Sequence, residues 1–154
     1  MLSAEEKQEI DKELAHSPTR QAACIEGMKI VQRHRGWVSD EAIHDLAQHL
    51  QMSAEDLDGV ATFYNVIFRR PVGRHVIFYC DSVSCWIMGY DAVKEAIQQR
   101  LGIQPGETTK DGRFTLLPIQ CLGACDRAPA IMIDRDQHMD VRPETIEKIL
   151  ELYP

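Results

Sequence analysis

Four of the five cysteines in this 154-residue chain form two close pairs, Cys80 with Cys85 and Cys121 with Cys125. Each pair follows a short apolar run. His75, Val76, Ile77, Phe78 and Tyr79 form a run of strand length, as expected for a strand covered on both faces. Residues 113–117 read as a second strand. Between them, residues 88–101 carry a helical period, with Tyr90, Val93 and Ile97 facing inward and Gly102 closing the helix. A strand–helix–strand unit makes its two strands parallel, with a right-handed crossover. Cys80 directly follows the first strand, Cys85 is expected in the loop entering the helix, and Cys121 lies just after the second strand. Both loops therefore leave the same end of the sheet, where open α/β sheets carry their ligand sites. If the strands are neighbours, the four thiols converge.

Thiolates in this number select zinc or an iron–sulfur cluster. The spacer of four residues in the first pair also occurs in plant-type [2Fe–2S] proteins, where each iron takes two thiolates. Zinc knuckles use about two to four intervening residues, so a structural zinc module stays open. A thiol–disulfide enzyme is the third reading, disfavoured because the C-x-x-C motif of that chemistry is absent. Without an export signal, paired cysteines argue for a metal before a disulfide. The small, turn-prone segments 81–84 and 122–124 offer backbone N–H groups to sulfur. Gly123 suits a close backbone approach, and Ser82 and Ser84 could add hydroxyls. Cys24 sits on an apolar helical stripe and is expected to be a packing residue.

Residues 3–64 are helical in period. Ile10 and Leu14 are the clear anchors of residues 4–15. Ser17 and Pro18 are expected to start a segment with Cys24, Ile25, Met28 and Val31 on one stripe, ended by Gly36. Ser39 or Asp40 caps a helix carrying Ile43, Leu46, Ala47 and Leu50, and Ser53 opens another carrying Leu57, Val60, Ala61 and Tyr64. Arg69, Arg70, Pro71, Val72 and Gly73 read as a linker. Beyond it, residues 130–133 and 138–141 read as a hairpin around residues 134–137, and Pro143 opens a last helix carrying Ile146, Ile149, Leu150 and Tyr153. The expected fold class is α+β or α/β, with a helical bundle over residues 1–72 and a β-α-β-β-β-α domain over residues 73–154. Thr62, Phe63, Tyr64, Asn65, Arg69 and Arg70 combine apolar and basic character beside the linker and are candidates for partner contact.

A net charge of -7, from 24 acidic and 17 basic residues, argues against nucleic acid as a partner. No apolar run approaches the roughly 20 residues of a membrane span, so no direct membrane insertion is expected. The opening residues Met1, Leu2, Ser3, Ala4, Glu5, Glu6 and Lys7 are polar and acidic, unlike a secretory signal, and point to a cytoplasmic chain. The six histidines are scattered. His44 and His49 are not at i, i+4, so surface and capping roles are expected. No Gly-rich dinucleotide fingerprint follows a strand, and no side chain is nominated as acid, base or nucleophile.

Phe78, Tyr79, Cys80, Asp81, Ser82, Val83, Ser84 and Cys85 with Gly89 form one recognisable motif. The segment from Pro118 through Cys121, Leu122, Gly123, Ala124, Cys125, Asp126, Arg127, Ala128 and Pro129 to Ala130 forms the other. Together they resemble the thioredoxin-like [2Fe–2S] ferredoxin family, which supplies a subunit to respiratory NADH:quinone oxidoreductase (complex I). That family also supplies subunits to NAD-linked hydrogenases and formate dehydrogenases. Gly36, Trp37, Val38 and Ser39, and residues 59–65, fit the same family, so the resemblance runs from about Thr19 onward. It implies a thioredoxin-like second domain in which Cys80, Cys85, Cys121 and Cys125 hold one [2Fe–2S] cluster. It also implies a partner flavoprotein subunit that binds FMN and NADH and exchanges single electrons with that cluster. The complex would be a quinone-reducing translocase, with this chain peripheral on the cytoplasmic side of the inner membrane among other complex I subunits. A diaphorase-type subunit of a hydrogenase or formate dehydrogenase is the alternative within the resemblance. Trp86 departs from the histidine common after the second cysteine, and an indole beside the cluster is expected to exclude water. Pro129 stands where thioredoxin-like folds often carry a cis proline; the alternative is a trans proline beginning a strand.

Overall fold

Three serines begin helices in the N-terminal half. Ser3 Oγ accepts the Glu6 N–H at 3.1 Å while the Glu6 carboxylate accepts the Ser3 N–H at 2.7 Å, a reciprocal cap. Ser39 and Ser53 hydroxyls accept N–H groups in the same way, from Ala42 and Asp56. The helices that follow are α1 (Ala4–His16), α2 (Cys24–Arg35), α3 (Asp40–Leu50) and α4 (Ala54–Phe63). The computed structural model describes all 154 residues and divides them into two units, Met1–Pro71 and Val72–Pro154.

In the first unit, Ile10, Met28, Val31, Leu46, Leu50 and Leu57 are sealed from solvent. Cys24 is buried among them at 7% exposure, in the packing role its stripe suggests. Two details differ from the periodicity. Pro18 lies outside any helix: Thr19 closes a turn onto Ala22, a 3-10 turn over Gln21–Ala23 follows, and α2 begins only at Cys24. Tyr64 continues the apolar spacing, but α4 ends at Phe63 and leaves both aromatics outside the core, at 76% exposure for Phe63 and 40% for Tyr64. Arg69 is internally committed, bonded to Asp40, Asp58 and the Val38 carbonyl.

The second unit is a four-stranded sheet with β1 (His75–Cys80), β2 (Phe114–Ile119), β3 (Ile131–Ile133) and β4 (Asp136–His138) in the order β2-β1-β3-β4. β1 and β2 are parallel neighbours, paired from His75 opposite Phe114 to Cys80 opposite Ile119. β3 runs antiparallel to β1, and β4 antiparallel to β3. The helices of this unit are α5 (Val83–Ile87), α6 (Tyr90–Leu101) and α7 (Ile146–Leu150). Ile77, Ile97, Phe114, Leu116, Ile131 and Ile133 form its core, joined by Val93 of α6 and by Ile146 and Leu150 of α7.

The connecting helix is broken: α5 precedes α6, and Gly89 between them has φ +91°, a left-handed conformation that suits glycine. Cys85 therefore lies within a short helix rather than in a loop. The hairpin is also tighter than expected. Only Asp134 and Arg135 turn the chain, because the Asp134 carboxylate binds the His75 ring at 2.7 Å and the Val76 N–H at 3.0 Å, tying the turn to the start of β1. The Ala128–Pro129 peptide bond is cis. No helix is long and apolar enough to cross a membrane.

Candidate metal centre

Cys80 ends β1 and Cys85 lies on the first turn of α5, so parallel strand and crossover helix deliver the first pair to one spot. Both are buried, each 2% exposed. Their cover is small and apolar: Ala124, Ala128 and Ala130 pack directly on them, with Ile119, Leu122 and Tyr90 outside. Ala130 arrives because β3 lies beside β1, and its carbonyl accepts the Cys80 N–H at 3.2 Å.

Cys121 and Cys125 follow β2 at the same end of the sheet and are exposed. Their sulfurs lie 3.7 Å apart. That matches the separation of about 3.8 Å between two sulfurs on one tetrahedral metal with bonds of about 2.3 Å. The Gly123 N–H donates to Cys121 Sγ at 3.3 Å; Gly123 has φ +76°, which turns that amide toward the sulfur. Cys80 Sγ lies 3.5 Å from the Gln120 carbonyl, at the foot of the same loop.

The thiols act on one another. The Cys121 thiol is pulled down from its ordinary value, first by the Gly123 N–H and then by the neighbouring Cys125 and Cys80 thiols. Burial pushes the Cys85 thiol up to about 11, with Cys80 and Cys125 adding to the rise. The site thus has a dry inner pair and a wet outer pair, bridged by Cys80.

A binuclear cluster asks for two thiolates on each of two irons, so two neighbouring pairs are the donor arrangement it needs. The donor set fits that group by its chemistry, by its pairing and by an amide already aimed at sulfur.

The model of the thioredoxin-like [2Fe-2S] ferredoxin matches residues 10–154. The chain belongs to that family. The E subunit of the NADH-quinone oxidoreductase of Escherichia coli strain K12 is 55% identical over 152 residues, covering 99% of this chain and 92% of the relative. Its counterpart in Pseudomonas aeruginosa is 54% identical over 153 residues, again covering 99% and 92%. An NAD+-reducing [NiFe]-hydrogenase in the H2-reduced state shares the fold with a TM-score of 0.67 over 80% of this chain at 24% identity; this chain spans 21% of that one. As a thioredoxin-like [2Fe-2S] ferredoxin, the chain is a [2Fe–2S] protein.

The four sequence-selected cysteines are neighbours in the structure, and Cys24 lies elsewhere, in the first unit's core. Trp86 is 61% exposed, and the buried residues packed on the inner thiols are the three alanines. Sequence reasoning missed Ala128 and Ala130, whose cover depends on β3 pairing with β1, and Gln137, whose amide donates to the Leu122 carbonyl at 2.6 Å.

Proposed function

We propose that Cys80, Cys85, Cys121 and Cys125 ligate one [2Fe–2S] cluster, and that this chain is the electron-transfer E subunit of an NADH:quinone oxidoreductase. The observation that carries the reading is the meeting of two thiol pairs at the carboxyl ends of β1 and β2. When bound, the cluster supplies reversible one-electron chemistry. The residues of this chain tune and guard it. Ala124, Ala128 and Ala130 keep water from Cys80 and Cys85, while the Gly123 N–H stabilises negative charge on Cys121. The exposed Cys121 and Cys125 leave that side of the site open to a partner.

The partner is a flavoprotein subunit carrying FMN and oxidising NADH; hydride chemistry belongs there. Residues 73–154 serve as the cluster domain and residues 1–72 as a helical docking domain, with exposed Phe63 and Tyr64 among its contacts. The assembly sits on the cytoplasmic side of the inner membrane, and this chain is held there through other subunits. Electron paramagnetic resonance of the dithionite-reduced protein, with iron and sulfide analysis, tests the ligand set. A binuclear signal is expected in the wild type and lost in alanine variants of any of the four cysteines. Zinc in place of iron and sulfide overturns the reading. Co-purification with an FMN subunit of a quinone reductase, rather than of a hydrogenase, tests the assignment of the complex.

A further inference from the structure

The loop carrying the exposed cysteines is anchored by one hairpin. At its start, Gln137 Nε2 on β4 donates to the Leu122 carbonyl at 2.6 Å. At its end, the Arg127 guanidinium meets Asp140 Oδ2 at 2.7 Å from Nε, and the Asp140 N–H donates to the Arg127 carbonyl at 2.8 Å. The first anchor has a particular consequence. The Leu122 carbonyl and the Gly123 N–H belong to one peptide group, and that N–H donates to Cys121 Sγ. Gln137 therefore holds the oxygen of the same rigid plane whose hydrogen is aimed at sulfur.

We propose that Gln137 is a positioning residue for the metal centre: through the Leu122–Gly123 peptide it fixes and strengthens the amide hydrogen bond to Cys121. A carbonyl that accepts a hydrogen bond polarises its own peptide and makes the N–H a better donor. Hydrogen bonds to ligand sulfur favour the more negative, reduced state and so raise the reduction potential. Gln137 also stiffens a loop that is otherwise open to solvent, which slows escape of the metal. The inference rests on Cys121 being a cluster ligand. Gln137 lies on the exposed edge strand and packs in neither core, so its replacement leaves folding intact.

The test compares full-length wild type, Gln137→Leu, which removes the donor at similar size, and Gln137→Asn, which returns a neutral amide donor. Gln98→Glu, on α6 away from the loop, is the control. Losing one hydrogen bond predicts roughly two- to tenfold faster iron release to a chelator from Gln137→Leu. Its midpoint potential is expected to fall and its paramagnetic line shape to change, with both restored toward wild type by Gln137→Asn. Wild-type potential and iron release in Gln137→Leu overturn the inference while leaving the function intact. A lower melting temperature without a change in potential reduces Gln137 to a structural residue and also overturns it. Absence of any binuclear signal in the wild type overturns the ligand reading itself.

Discussion

Arg35 grips Glu6 with both arms of its guanidinium, Nε 2.6 Å from Oε1 and Nη2 2.7 Å from Oε2. Glu6 is 2% exposed, and the same carboxylate closes the cap on α1. One residue thus both starts the first helix and ties it to the end of α2. The Arg35 partner, with help from the Ser3 N–H, holds the Glu6 carboxyl below its ordinary value of 4.5 against the opposing effect of burial. Arg35→Ala should cost about 3 kcal/mol by leaving that carboxylate buried and unpaired. Urea unfolding followed by Trp37 fluorescence, with Trp86 replaced by phenylalanine in both proteins, measures it.

The same pair gives the first unit a defined acid response. The folded-state value is depressed, so the stability the pair contributes is complete above about pH 4.5. It declines as pH falls below that point, where the unfolded chain takes up the proton, and is gone once pH passes below the folded-state value. Glu6→Gln should flatten this part of the stability–pH curve. An unchanged slope would remove Glu6 as its source.

In the metal-free protein the cysteines should differ in reactivity. Cys121 is exposed with a lowered thiol, whereas Cys85 is buried and pushed up to about 11. Iodoacetamide at neutral pH should label Cys121 first and leave Cys85 and the buried Cys24 until last. Timed mass spectrometry reads the order. Uniform labelling would show that the site opens fully without its metal.

Gly123→Ala isolates a backbone effect. A β-carbon there meets nothing within 4 Å, so the substitution creates no clash, but φ of +76° disfavours a side chain. The expected cost is about 1 kcal/mol, by thermal unfolding. As the loop relaxes and its amide leaves Cys121, the thiol should shift upward, visible as slower labelling of Cys121 in the metal-free protein.

Phe63 is 76% exposed and stacks edge-on against Tyr64 at 5.2 Å. Phe63→Ser should alter stability by no more than about 0.5 kcal/mol. If this face docks the flavoprotein subunit, the same change should weaken that association by roughly tenfold or more. Calorimetric titration with the purified partner decides it, and equal affinities would exclude this face.

What could be read in advance was what the chain decides locally. Ser39 and Ser53 cap as read, Gly36 and Gly102 end helices, and the apolar runs become β1 and β2, because each depends on neighbours within a few residues. The parallel pairing followed from one crossover rule and brought the four thiols together. The short helix α5 was hidden because residues 81–84 are small and turn-prone, so Cys85 read as part of a loop. The Glu6–Arg35 clasp spans 29 residues and leaves no periodic trace in an acidic, polar helix. Cover of the inner thiols by Ala130 requires the antiparallel docking of β3, which no local pattern announces.

The register of β1 on β2, with Cys80 opposite Ile119, also carries a consequence for assembly. Slipping the pair by one residue would shift one ligand loop by about 3.3 Å and turn alternate side chains to the opposite face. The two thiol pairs could then no longer share one cofactor. Register and cofactor binding are therefore linked: a chain paired one residue out of line would not present the two thiol pairs side by side.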